Sequence, residues 1–194
     1  MKPTRRTLAM MLATTTLVAG CGHSPPTQYF TLDAVPASAP LATTKLTPVQ
    51  LTALHLPAIL DRPEVVTRVS PNRLSVSDRD RWGAPLAEMM RGVLAQDLIT
   101  RLPRGTFVFP DAPAPEDTRQ LVVTVLALDA EASGALKLHA RWTLMAGRPA
   151  HALLRREATL SAQGASAGAA GQAEALSTTI GELADRIAAS LTDE

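Results

Sequence analysis

Residues 121–128, LVVTVLAL, are an almost unbroken apolar run, and residues 136–145, LKLHARWTLM, alternate apolar and polar side chains without interruption. Successive side chains of a strand point to opposite faces, so a sustained period of two describes a strand with one face on a core. Leu136, Leu138, Ala140, Trp142 and Leu144 take the inward face, against Lys137, His139, Arg141, Thr143 and Met145. The run at 121–128 is apolar on both sides and reads as an interior strand. Ser133-Gly134 turns the chain between the two. Gly147-Arg148-Pro149 turns it again, and residues 151–162 return with Leu154, Ala158 and Leu160 on one side. Together these segments make an antiparallel meander.

Downstream, Gln163 to Gly171 (QGASAGAAG) reads as a loop of small residues, and a helix follows from about Gln172 to Leu191. Its apolar stripe is Leu176, Ile180, Leu183, Ala184, Ile187 and Leu191, the spacing of a 3.6-residue period. Upstream, a second helix spans Pro85 to Leu102. Proline is tolerated in a first turn, and Pro103 and Gly105 stop the helix. Leu86, Met90, Val93, Leu94, Asp97 and Arg101 follow one side of it. Short strands are expected at Tyr29–Leu32, Val49–Leu56, Glu64–Val69, Arg73–Ser77 and Thr106–Phe109, with Asp78–Arg81 (DRDR) as an exposed charge run. Asp33–Pro48 and Pro110–Thr118 read as loops. Two helices with one apolar side each need a sheet to cover. The fold class is therefore α+β or mixed α/β, with one mixed or mostly antiparallel sheet packed against two long helices.

The start of the chain obeys different rules. Lys2, Arg5 and Arg6 precede an uncharged stretch, Thr7 to Ala19, that ends at Gly20 and Cys21. A basic segment, a short apolar segment and small residues before a cut site describe a secretory signal. Crossing a bilayer takes about 20 apolar residues, more than this stretch offers. Val18-Ala19-Gly20-Cys21 resembles a bacterial lipobox, in which a peptidase cuts before a cysteine whose thiol carries diacylglycerol. Residues 1–20 are accordingly expected to be removed, residues 21–28 to form a lipidated tether, and residues 29–194 to fold as one domain. Gly22 stands where an aspartate signals inner-membrane retention, so by analogy the destination is the outer membrane. Removing residues 1–20 leaves 16 basic against 18 acidic residues. That balance gives no polybasic surface for nucleic acid or anionic headgroups.

Little in the sequence points to catalysis. Cys21 is the only cysteine, which excludes an intramolecular disulfide and any cysteine-based metal site. The histidines at 23, 55, 139 and 151 form no HExxH or close His/Asp cluster. Neither a GxSxG elbow nor a phosphate-cradling loop with its lysine is present. No metal, no cofactor and no enzymatic activity are expected.

The most distinctive stretch is Leu56-Pro57-Ala58-Ile59-Leu60-Asp61-Arg62-Pro63-Glu64-Val65-Val66-Thr67-Arg68. Asp61 can accept backbone donors in a turn whose geometry Pro63 fixes. Arg62 and Arg68 are placed to pair with Asp61 or Glu64, or to meet a partner's carboxylate. Leu56-Pro57, Leu60-Asp61-Arg62-Pro63 and Val65 to Arg68 resemble the signature of the ABC-type transport auxiliary lipoproteins, the PqiC-like subunits of membrane integrity-associated transporters. Tyr29-Phe30-Thr31-Leu32 and Trp82-Gly83-Ala84-Pro85-Leu86 resemble two further stretches of that family, which more often carries an acid where this chain has Ala84.

The resemblance implies a non-enzymatic, lipid-anchored subunit on the periplasmic face of the outer membrane. It would work with an MCE-domain protein, and through it with an ABC permease and ATPase or another integral membrane subunit, in intermembrane lipid transport and envelope integrity. Cys21 is then the lipidation site. Asp61, Arg62, Pro63, Arg68 and Trp82 form a motif that is either a partner contact or a structural brace. A monomer and a homo-oligomer both fit this reading. The alternative is a structural or assembly lipoprotein of another envelope complex, and a lipid-anchored hydrolase would need a gathered Ser, His and Asp.

Overall fold

The structure, a computed structural model, describes residues 25–42 and 46–192. The leader and Cys21 lie outside the described residues. Among the described residues, eight strands and two helices follow one another: β1 (Gln28–Phe30), β2 (Val49–His55), β3 (Glu64–Ser70), β4 (Arg73–Trp82), α1 (Leu86–Arg101), β5 (Phe107–Val108), β6 (Arg119–Ala130), β7 (Ala135–Ala146), β8 (His151–Gln163) and α2 (Gly168–Ser190). The class is the expected one, a mostly antiparallel strand system against two helices. Its strands divide between two sheets, a small one ordered β1-β4-β3 and a large one ordered β5-β2-β6-β7-β8.

The meander is the backbone of the large sheet. Leu121 pairs with Leu144, Val123 with Trp142 and Val125 with Ala140, and all six are buried. A register shift between Val125 and Ala127 changes the parity of β6. Leu128 and Ala130 thereby stay on the same face, opposite Leu138 and Leu136. That face carries both helices: α2 lies over β7 and β8, α1 packs on β2, and the helices touch each other. The opposite face of β6, with Val122, Thr124 and Leu126, is half-buried rather than covered.

Helix α1 ends as the sequence requires. Leu102 is extended at ψ 151°, the conformation a following proline imposes. β2 runs parallel to both β5 and β6, so the chain must cross over between them. The crossover contains the β3–β4 hairpin and α1.

Two expectations are corrected. Asp78–Arg81 is not a free charge run but the last part of β4, pairing with β1 at Gln28↔Asp80 and Tyr29↔Arg81. A two-sided solvent-facing strand carries charges without penalty, which hides it from a search for apolar alternation. Helix α2 begins at Gly168, inside the supposed loop. Two of the glycines there are packing residues: a Cβ on Gly171 would stand 1.7 Å from the Ser166 carbonyl oxygen, and one on Gly164 2.1 Å from the Gly171 carbonyl oxygen.

Candidate functional site

The distinctive stretch forms the corner between the large sheet and the small one. Pro57 to Arg62 makes a tight turn, with Leu60 N donating to Pro57 O at 2.9 Å and Arg62 N to Leu60 O at 2.9 Å. Trp82 N donates to Pro63 O at 2.7 Å and Gly83 N to Phe30 O at 2.8 Å, which fastens the corner to the ends of β4 and β1. Pro63, lacking an N–H, can only accept in this arrangement.

The side chains divide by direction. Asp61 is exposed and makes no ion pair among the described residues. Arg62 Nε donates to Glu64 Oε2 at 2.9 Å, and Arg81 Nη2 stands 3.7 Å from Glu64 Oε1. The Arg62 hydrogen bond holds the Glu64 carboxyl below its ordinary value. Arg62 thus turns toward its own strand. An exposed pair of this kind is screened by solvent and contributes little to stability. Arg62→Ala is expected to keep the urea midpoint nearly unchanged, and a large loss of stability would show the corner to be a structural keystone instead.

Arg68 pairs elsewhere, with neither Asp61 nor Glu64. Its Nε donates to Asp129 on β6, and its Nη1 to Pro71 O at 3.1 Å. An isolated parallel bridge joins Arg68 to Glu131. Gln172 on α2 closes the same seam, donating to Thr67 Oγ1 at 2.9 Å and Glu131 O at 3.1 Å. Behind these contacts lies a cavity of about 20 Å³ lined by Leu60, Val66, Trp82, Leu128, Leu136 and Leu176, with Gln172 at its wall. It is large enough for about one water. Trp82 is 8% exposed and belongs to this interior, so its indole is packed between the sheets.

The structure therefore brings Arg62, Pro63 and Trp82 to one inter-sheet corner, leaves Asp61 on its outer rim, and sets Arg68 apart, near the other end of β3, where it ties the hairpin to β6. Asp129, Glu131 and Gln172 complete the seam and were missed. Asp129 is 61 residues from Arg68, and no spacing rule links positions that far apart.

A second polar cluster sits where α1 crosses α2. Asp97 is 0% exposed and Arg101 5%. Arg101 Nε donates to Asp185 Oδ1 at 2.6 Å, and its Nη1 to Val35 O at 2.9 Å. Asp97 Oδ1 accepts from Val35 N at 2.7 Å. Burial pushes the Asp97 carboxyl above its ordinary value, against the pull of the Val35 N–H and the Arg101 guanidinium. The i,i+4 placement of Asp97 and Arg101 on an otherwise apolar stripe is the signal that marks this site in the sequence.

Among the described residues, no three His, Cys, Asp or Glu side chains gather to hold a metal, and no helix is long and apolar enough to cross a membrane. The carboxylates of Glu64, Asp129, Asp97 and Asp185 are engaged by arginines. Such an arrangement fixes surfaces and their relative position.

Fold and corner together define two sheets and two helices locked to one another by arginine-centred contacts. The sequence model of the family described as "ABC-type transport auxiliary lipoprotein component" matches residues 30–188, and the chain belongs to that family of non-catalytic transport subunits. Two solved structures share the fold. A crystal structure of an uncharacterized protein superposes with a TM-score of 0.70 at 19% identity, covering 86% of this chain and 99% of the other. Protein XCC0632 from Xanthomonas campestris superposes with a TM-score of 0.68 at 14% identity, covering 85% of this chain and 95% of the other. No curated protein matches the chain in sequence.

Proposed function

We propose that this chain is an outer-membrane lipoprotein facing the periplasm, the auxiliary subunit of an MCE/ABC-type intermembrane lipid transport system. The observation that carries the reading is the family match over residues 30–188. The Val18-Ala19-Gly20-Cys21 sequence at the end of an uncharged leader supports it. Cys21 carries the lipid, and residues 1–20 are removed. Two acyl chains or more give a stable anchor, since each buried CH₂ contributes about 0.8 kcal/mol. The Asp61-Arg62-Pro63 corner is the surface offered to the MCE-domain partner. Its backbone is already fixed by the turn and by Pro63, so docking there orders little more of this chain.

Crosslinking in envelope membranes followed by pull-down tests the partnership. An MCE-domain protein is expected to come with the parent chain and to be lost with Arg62→Ala. Recovery of a different envelope complex without any MCE protein would sink the assignment. The anchor has its own test: Cys21→Ser should accumulate as a larger, uncut precursor that takes up no clickable fatty acid. Label on that variant would remove Cys21 as the site.

A further inference from the structure

Residues 31–42 cross the junction of α1 and α2 as an irregular segment tied down by a series of backbone hydrogen bonds. Alternate amides donate to side chains of the two helices: Asp33 N to Ser177 Oγ at 3.1 Å, Val35 N to Asp97 Oδ1 at 2.7 Å and Ala37 N to Thr100 Oγ1 at 3.1 Å. Arg101 Nη1 donates to Val35 O at 2.9 Å, and Leu41 N donates to Arg101 O at 2.7 Å. Of the side chains, Leu32 joins the core, and Phe30, Ala34 and Leu41 pack against it. From Gln28 to Ala42 only Leu32 is buried, and Asp33, Val35, Pro36, Ser38, Ala39 and Pro40 are exposed. Gly181 makes the close crossing possible, since a Cβ there would stand 2.9 Å from the Val35 Cβ. β1, just before the segment, is a three-residue strand at the edge of the small sheet.

We propose that residues 28–42 are a latched strap whose release lengthens the tether between the membrane and the domain. This rests on the reading of Cys21 as the lipid-bearing residue. With the strap docked, the seven residues from Cys21 to Gln28 hold the domain within about 25 Å of the bilayer surface. With the strap free, the next fixed point is Leu46, packed against the core just before Thr47 O and Pro48 O accept from Arg119, and the reach rises to about 85 Å.

The geometry favours release as a separate event. Tension on the tether enters at Gln28, the end of an edge strand, and takes the bonds one after another instead of loading them together. The β6–β7–β8 meander and its contacts with α2 do not pass through the strap. Pro36 and Pro40 keep the freed segment extended.

The experiment uses the acylated full-length chain and two variants that attack the latch differently. Gly181→Leu fills the crossing point, and Ser177→Ala with Thr100→Ala removes two neutral acceptors while leaving the buried ions in place. In detergent, the amides of Val35 and Ala37 should exchange at least about tenfold faster in both variants, with β7 amides unchanged, as expected of a local opening. Acceleration of the β7 amides in step with the strap would overturn the proposal, because the strap would then be integral to the fold. Unchanged strap amides in both variants would overturn it as well.

The reach is read in vesicles of phosphatidylethanolamine and phosphatidylglycerol carrying an acceptor lipid, with a donor dye on an introduced Leu153→Cys. Energy transfer to the membrane should fall in both variants. Unchanged transfer despite freed amides would overturn the change in reach. A parent chain that does not stay with the vesicles would instead defeat the lipid-anchor reading, and the reach claim with it, while the exchange result would still decide whether a latch exists.

Discussion

Trp142→Ala is expected to cost about 3–5 kcal/mol, the range for removing a buried large aromatic side chain. Trp142 is 3% exposed, pairs with Val123 across the ladder and lies on the face covered by α2. Its Nε1 donates to Ser190 Oγ at 3.0 Å, and that hydroxyl donates in turn to Ile187 O at 2.7 Å. The indole therefore joins the sheet to the last turn of α2 by packing and by a buried hydrogen bond. The two contributions separate in Ser190→Ala, which leaves the ring in place and orphans its N–H. That change should cost about 1–3 kcal/mol, the penalty for an unsatisfied buried donor. Urea unfolding measures both. A loss under about 1 kcal/mol for Trp142→Ala would mean that the ring is not part of the core.

The placement of Trp142 was legible because period two leaves no freedom. Reversing the register by one residue would bury Lys137, His139 and Arg141, and no core tolerates that. The helices were legible for the same reason, through the stripe Leu176, Ile180, Leu183 and Ile187. The second half of β4 was not. Both its faces meet solvent or other polar groups, as where Ser77 Oγ donates to Asp80 Oδ2 at 2.9 Å, so no burial pattern is imposed on Asp78–Arg81. The division into two sheets was equally hidden, since it depends on which strands exchange backbone bonds and not on any side chain.

The corner shows the same limit at the level of a site. Arg62, at the end of the turn, and Glu64, at the start of β3, lie two residues apart, and their pairing was among those considered from sequence. Arg68 had the same local choices and took Asp129 instead, because the hairpin carries it across to β6. At the helix crossing, Asp97 and Arg101 were placed on the apolar side of α1 but not read as a site. Asp185 and the backbone of Val35 supply the rest of that cluster, and both arrive from distant parts of the chain.

Arg101→Ala should lose about 3–5 kcal/mol at neutral pH, the cost of leaving a buried charge without its counter-ion. The loss is concentrated on one partner. Asp185 has a 61% exposed side chain and rehydrates, whereas Asp97 is fully enclosed and keeps only the Val35 N–H. The pH dependence follows from the direction of the Asp97 shift. Burial already raises this carboxyl above its ordinary value of 3.8, and Arg101 opposes the rise. Without Arg101 the folded-state value climbs further. A carboxyl raised on folding contributes stability that is complete below the unfolded value and lost as pH rises through the folded one. The deficit of Arg101→Ala relative to the parent should therefore be small in acid and widen as pH rises above about 4. Glu64, Asp111 and Glu157 behave oppositely: Arg62, Arg91 and Arg141 hold them low, so their contribution fades as pH falls. They are present in parent and variant alike and cancel in the difference. Asp97→Asn added to Arg101→Ala removes the titrating group while its amide oxygen can still accept from Val35 N. The double variant should recover part of the lost stability and flatten the pH dependence of the difference. A deficit that is the same at every pH, or a double variant no more stable than Arg101→Ala, would place the cost in lost packing rather than in the stranded charge.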